Sequence, residues 1–102
     1  MTRIEQLKEF LKNDPKDSFL RHALALEYIK EGNDAEAQSL FESLLKDEPG
    51  YVGSYYHLAK LLERNNEIEK AIITYDLGMI EAKKVGDGHA YNELMMAREE
   101  LE

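Results

Sequence analysis

The sequence predicts an all-α protein built of antiparallel helix-turn-helix repeats, and three observations carry that expectation. The chain has only two prolines, Pro15 and Pro49, and they stand 34 residues apart. Sliding the chain by that interval superposes Leu24 on Leu58, Ala25 on Ala59, Ala37 on Ala71 and Phe41 on Tyr75, so small and large residues recur in the same order. Within each period the apolar residues are spaced three or four apart, as on a helix face: Leu20, Leu24 and Tyr28 on one stripe, then Ala37, Leu40, Phe41, Leu44 and Leu45 on the next. No stretch alternates as a strand does.

The 102 residues fit one small domain, with no room for a catalytic domain beside a regulatory one. With 43% hydrophobic residues the chain can bury a core, and its 33% of charged residues exceeds the roughly 25% usual in globular domains. The net charge of -8 opposes phosphate backbones and anionic lipid, so neither nucleic acid nor a membrane is an expected partner. Without cysteine there is no disulfide, thiolate metal site or cysteine nucleophile. The opening MTRIEQLKEFLKND mixes charges with apolar residues, unlike a secretory signal, and a cytoplasmic location is the expectation.

Taken in order, the elements are helices over about 2–12, 17–31, 34–46, 51–64, 67–84 and 89–100. The first belongs to half a repeat, because Phe10-Leu11-Lys12-Asn13-Asp14-Pro15 mirrors Leu44-Leu45-Lys46-Asp47-Glu48-Pro49. Asp17 is placed to cap the second helix, Gly32 to end it at positive φ, and Asn33 or Asp34 to cap the third. Asn65-Asn66 marks the matching turn between the fourth and fifth, since asparagine tolerates the left-handed conformation. Lys84-Val85-Gly86-Asp87-Gly88 reads as a turn with Asp87 at the start of the last helix. That helix offers Tyr91, Leu94, Met95 and Leu101 as an apolar stripe and turns Glu93, Glu99 and Glu100 to water. The domain thus divides into a half-repeat helix (2–14), two repeats (15–49 and 50–84) and a capping helix (88–101), the end elements covering what two repeats would leave open.

This period and order of residues resemble the tetratricopeptide repeat family. The family's small-residue sites fall on Ala25, Ala37, Ala59 and Ala71, its aromatic site on Phe41 and Tyr75, and its terminal proline on Pro49. The chain departs from the pattern where the family's tryptophan site holds Arg21 and then Tyr55, where a small site becomes Leu44 and then Gly78, and where Lys83 replaces the second proline. The resemblance implies a short right-handed α-solenoid whose first helices line a concave groove. Carried residue by residue, the groove positions are Phe19, His22, Leu26, Ile29 and Lys30, then Gly53, Tyr56, Lys60, Glu63 and Arg64.

No phosphate loop, zinc-helix motif, EF-hand series or nucleophile elbow occurs, and neither enzymatic activity nor a cofactor is expected. His22, His57 and His89 lack the paired spacing of metal ligands. Glu63, Glu67, Glu69, Asp76 and Glu81 read as a solvated face. Met79 and Met95 read as packing residues, and Tyr51, Tyr55, Tyr56, Tyr75 and Tyr91 as core or peptide contacts. The chaperone-tail clamp known in one branch of the family is not reproduced, because its positions hold His22, Leu26 and His57, and Leu26 cannot donate to a carboxylate. The expected function is a non-enzymatic adaptor binding a peptide or partner helix, with Phe19, Leu26, Ile29 and Tyr56 as anchors and His22, Lys30, Lys60 and Arg64 giving the groove a basic cast. Two alternatives stay open: a neighbouring terminal helix covers Phe19, Leu26 and Ile29, or exposed apolar surface pairs two copies as a homodimer.

Overall fold

The computed structural model describes all 102 residues, Met1–Glu102, as six helices without a strand: α1 (Arg3–Asn13), α2 (Ser18–Lys30), α3 (Asp34–Asp47), α4 (Gly53–Arg64), α5 (Ile68–Val85) and α6 (Gly88–Glu99). Element boundaries lie within two residues of those read from the sequence. The helices form two compact units of three, Met1–Glu48 and Pro49–Glu102.

In the first unit α1 opens on a capping box: the Glu5 amide donates to Thr2 Oγ1 at 3.1 Å, and the Thr2 amide donates to Glu5 Oε1 at 2.9 Å. Leu7 is the side chain that α1 buries. Asp17 caps α2 as its position predicts, accepting from the Leu20 amide at 2.8 Å. The helix stops where Gly32 takes φ 76° and the Asn33 amide donates back to the Tyr28 carbonyl at 2.8 Å, closing the helix end. Asn33 then precedes α3 without a side-chain cap. Ala25 and Ala37 have no exposed surface, and beside them Phe41 and Leu44 are fully enclosed. The alanines let α2 and α3 approach closely while the larger residues fill the space around the crossing.

The second unit repeats this plan and adds α6. Asn66 takes φ 62° after α4, and the Glu67 amide donates to the Leu62 carbonyl at 2.8 Å, so an asparagine turn does the work of Gly32. Ala59, Ala71 and Tyr75 are fully buried where α4 and α5 pack. At the exit of α5, where the family carries proline, the helix runs on to Val85 and ends at Gly86 with φ 75°. Asp87 caps α6 through the Ala90 amide at 2.9 Å. Of the apolar stripe read for α6, Leu94 is 1% exposed, Tyr91 and Met95 are half-buried, and Leu101 lies beyond the helix end. Ala97 joins that stripe, and Arg98 ties α6 to α5 by donating to Asp76 Oδ1 at 2.5 Å.

Candidate interaction surface

The first helix of each pair carries the residues singled out in the sequence, and each unit has its own set. On α2, Phe19, His22, Leu26 and Ile29 share one face, being three or four residues apart. Phe19 is 64% exposed, whereas Leu26 and Ile29 are half-buried. His22 is also half-buried, its ring edge-on to Phe41 with centroids 5.6 Å apart. Lys30 is exposed at the end of the helix, where its Nζ lies 3.1 Å from Glu27 Oε2.

On α4 the face is polar and aromatic. The Lys60 ammonium stands 5.6 Å from the centroid of Tyr56 and 3.6 Å from Glu63 Oε2. Glu63 accepts in turn from the Tyr75 hydroxyl of α5, whose pKa is pushed far above the ordinary tyrosine range by burial and then by that carboxylate. Arg64 is exposed at the C-terminal end of α4. His57 lies beside this face, half-buried and edge-on to Tyr56, with ring centroids 5.8 Å apart. Burial lowers the pKa of His57 against a smaller opposing pull from Glu93.

These contacts change the electrostatic expectation. The sequence makes the groove positions basic, but Lys30 faces Glu27 and Lys60 faces Glu63, each carboxylate three residues away on the same helix. Glu27 escapes a reading confined to groove positions, although its i,i+3 spacing to Lys30 was visible. The apolar groups on α2 are therefore the less committed part of the surface. No group of three or more His, Asp or Glu side chains comes together in metal-binding proximity, and no helix is long and apolar enough to cross a membrane.

The structure adds two features to the sequence reading. Arg21, on the apolar side of α2, is buried and bonded to Asp47 Oδ2 at 2.8 Å. On α5, Ile73, Leu77 and Ile80 stand exposed although they sit in an apolar helix. Their i, i+4, i+7 spacing, opposite Ala71, Tyr75, Gly78 and Ala82, is the signal that finds them.

Paired antiparallel helices that cross at alanines and repeat after 34 residues define a helical-repeat scaffold. The tetratricopeptide repeat model matches residues 28–95. A tetratricopeptide repeat domain protein from Salinibacter ruber, solved as a crystal structure, is 42% identical with a TM-score of 0.79, the match covering 83% of this chain and 94% of that one. The solution structure from the same organism is 44% identical with a TM-score of 0.83, over 87% of this chain and 90% of that one. The TPR2B domain of yeast Sti1, in its complex with pHsp70, shares the fold with a TM-score of 0.88 at 19% identity, over 96% of this chain and 78% of that one. No curated protein matches the chain. The chain belongs to the tetratricopeptide repeat family, whose domains mediate protein–protein interaction.

Proposed function

We propose that this chain is a non-enzymatic interaction module that binds a short peptide or partner helix, the first helix of each repeat offering its own contact face. The observation that carries this reading is Phe19, 64% exposed on the same face of α2 as Leu26 and Ile29. Covering such a side chain is worth roughly 1.5–3 kcal/mol, so a ligand that sits on it gains a real anchor. On α4, Tyr56 and the stem of Lys60 offer a flat amphipathic contact of the kind enriched at interfaces. Because Lys30 and Lys60 already face carboxylates, an acidic ligand group must compete with Glu27 and Glu63. Apolar contact therefore supplies most of the affinity, and His22, Lys30, Lys60 and Arg64 orient the ligand's polar groups. The Sti1 domain, of the same fold and in complex with pHsp70, supports a protein ligand.

The test is selection of peptides from a random phage-displayed library, followed by titration of a recovered peptide against variants. Leu26→Glu should weaken binding at least tenfold by setting an unpaired charge against an apolar contact, and Phe19→Ser should weaken it severalfold. Both variants should keep the helical circular dichroism of the parent. Parental affinity in both variants, or amide shift changes on α3 and α5 instead of α2 and α4, would refute the proposal.

A further inference from the structure

Helix α5 is apolar on two opposite sides, whereas a surface helix ordinarily carries one apolar stripe. One side buries Ala71, Tyr75, Gly78 and Ala82 within the second unit. The other presents Ile73, Leu77 and Ile80, which are 57%, 51% and 52% exposed. Three large aliphatic side chains in a continuous exposed row form a patch of the kind that marks a protein contact.

The residues that bound this row show what covers it. Glu69 lies four residues before Ile73 and Lys84 four residues after Ile80, so both continue the same stripe, and both are exposed. The stripe reads acid, three aliphatics, base, and Glu69 with Lys84, like Ile73 with Ile80, lie equally far from the point between Asp76 and Leu77. We infer that two copies of this chain pair through antiparallel α5 helices, related by a two-fold axis through that point. The axis sets Ile73 of each copy against Ile80 of the other, and Glu69 of each against Lys84 of the other. A parallel pairing would oppose Glu69 to Glu69 and Lys84 to Lys84.

The surface beside the stripe fits the same arrangement. A groove of about 320 Å³, lined by Asp76, Met79, Ile80, Lys83 and Tyr91, runs along the α6 side of the row. The axis sets Leu77 beside Leu77 of the second copy on one flank of the seam and Asp76 beside Asp76 on the other, at the edge of this groove. Each Asp76 is paired with Arg98 of its own chain, which compensates the two like charges. Lys84 reaches Glu81 of its own helix at 3.3 Å, an exposed i,i+3 pair that exchanges partners at small cost. A contact confined to one 18-residue helix is small, roughly 1,200 Å² or less in total, which implies weak association in the micromolar range.

Sedimentation equilibrium in about 0.15 M salt tests the pairing, since screening there removes most long-range repulsion between two acidic copies and spares close pairs. The full chain should show a monomer–dimer equilibrium, and Ile80→Glu should weaken it at least a hundredfold. Glu69→Lys and Lys84→Glu should each weaken self-association about fivefold, because each turns two attractive pairs into two repulsive ones. An equimolar mixture of those two single variants should dimerise as well as the parent, since every cross pair is again Lys with Glu, and the double variant should recover parental affinity. All these positions are exposed, so circular dichroism should be unchanged. A chain that stays monomeric to 0.5 mM, a dimer indifferent to Ile80→Glu, or single variants that fail to rescue each other would overturn the inference. These readouts are independent of the α2 face, so peptide binding can fail while pairing stands.

Discussion

Arg21 in the first unit and Tyr55 in the second occupy equivalent sites, one repeat apart, and each is 5% exposed. The guanidinium of Arg21 donates to Asp47 Oδ2 and to the Lys16 carbonyl, both at 2.8 Å. The hydroxyl of Tyr55 donates to the Pro49 carbonyl at 2.7 Å, and its burial, reinforced by Glu81, pushes its pKa up to about 12. In each unit the polar tip holds the turn that precedes the first helix. The second helix of the pair differs too: it carries Leu44 in one unit and Gly78 at the equivalent site of the other, and both are buried. A Cβ on Gly78 would lie 2.7 Å from Tyr55 Cβ and 2.9 Å from Leu94 Cδ1. The two units thus retain the tether while exchanging a charge network for an aromatic ring on glycine.

The largest break in this comparison comes from giving the second unit the first unit's residue. Gly78→Leu should cost about 3 kcal/mol or more, because Tyr55 Cβ is fixed close to its backbone and cannot move aside as a side-chain tip would. Gly78→Ala isolates the clash. Helix propensity alone would favour alanine by about 1 kcal/mol, so a net destabilisation in urea unfolding shows that crowding wins.

Next in size is Arg21→Ala, which removes a buried side chain and strips Asp47 of its partner, for a loss of about 2 kcal/mol. Arg21 holds the Asp47 carboxyl below the usual aspartate range through their hydrogen bond. Since the folded carboxyl titrates lower than the unfolded one, the pair's contribution is complete above about pH 4 and is lost as pH falls through the folded value. Asp47→Asn should therefore lower stability near neutral pH and converge with the parent as pH falls through the folded value, which flattens the acid limb of the stability curve.

The period, the six helices and their caps were legible in the sequence because they rest on local chemistry: Asp17 and Asp87 cap, Gly32 and Asn66 turn, and alanines recur at the crossings. Arg21 was not legible as a core residue, since its partner Asp47 lies 26 residues away and only the packing of α3 on α2 brings the two together. The basic cast read for the groove failed to include Glu27, which neutralises Lys30 from outside the positions considered. Ile73, Leu77 and Ile80 were indistinguishable by composition from core residues of α5. Their exposure follows from which side of α5 the small residues Ala71, Gly78 and Ala82 commit to packing.

The caps sharpen the comparison at about 1 kcal/mol each. Asp17→Ala frees the Leu20 amide at the start of α2, and Asp87→Ala frees the Ala90 amide at the start of α6. Amide hydrogen exchange should report each loss first in the helix whose cap is removed, with Asp17→Ala raising exchange at the start of α2 and Asp87→Ala at the start of α6. Equal changes at both sites in either variant would contradict the local assignment.

The smallest expected difference is in pH dependence, and it belongs to the second unit. His57 has its pKa lowered by burial, with Glu93 pulling more weakly in the opposite direction, while the equivalent residue of the first unit is Ala23, which does not titrate. A histidine whose folded pKa lies below its unfolded value contributes stability above the unfolded value, near pH 6.5. Below that point the unfolded chain takes up a proton that the folded chain resists, and the contribution falls until pH passes the folded value. Lowering the pH from 7.5 to 5.5 should therefore destabilise the protein before the carboxylates begin to titrate. His57→Ala, which gives the second unit the first unit's residue, should lose packing at every pH yet show a flatter slope across that interval. Urea midpoints at half-unit pH steps measure the slope, and identical slopes for parent and variant would show that burial of His57 does not control it.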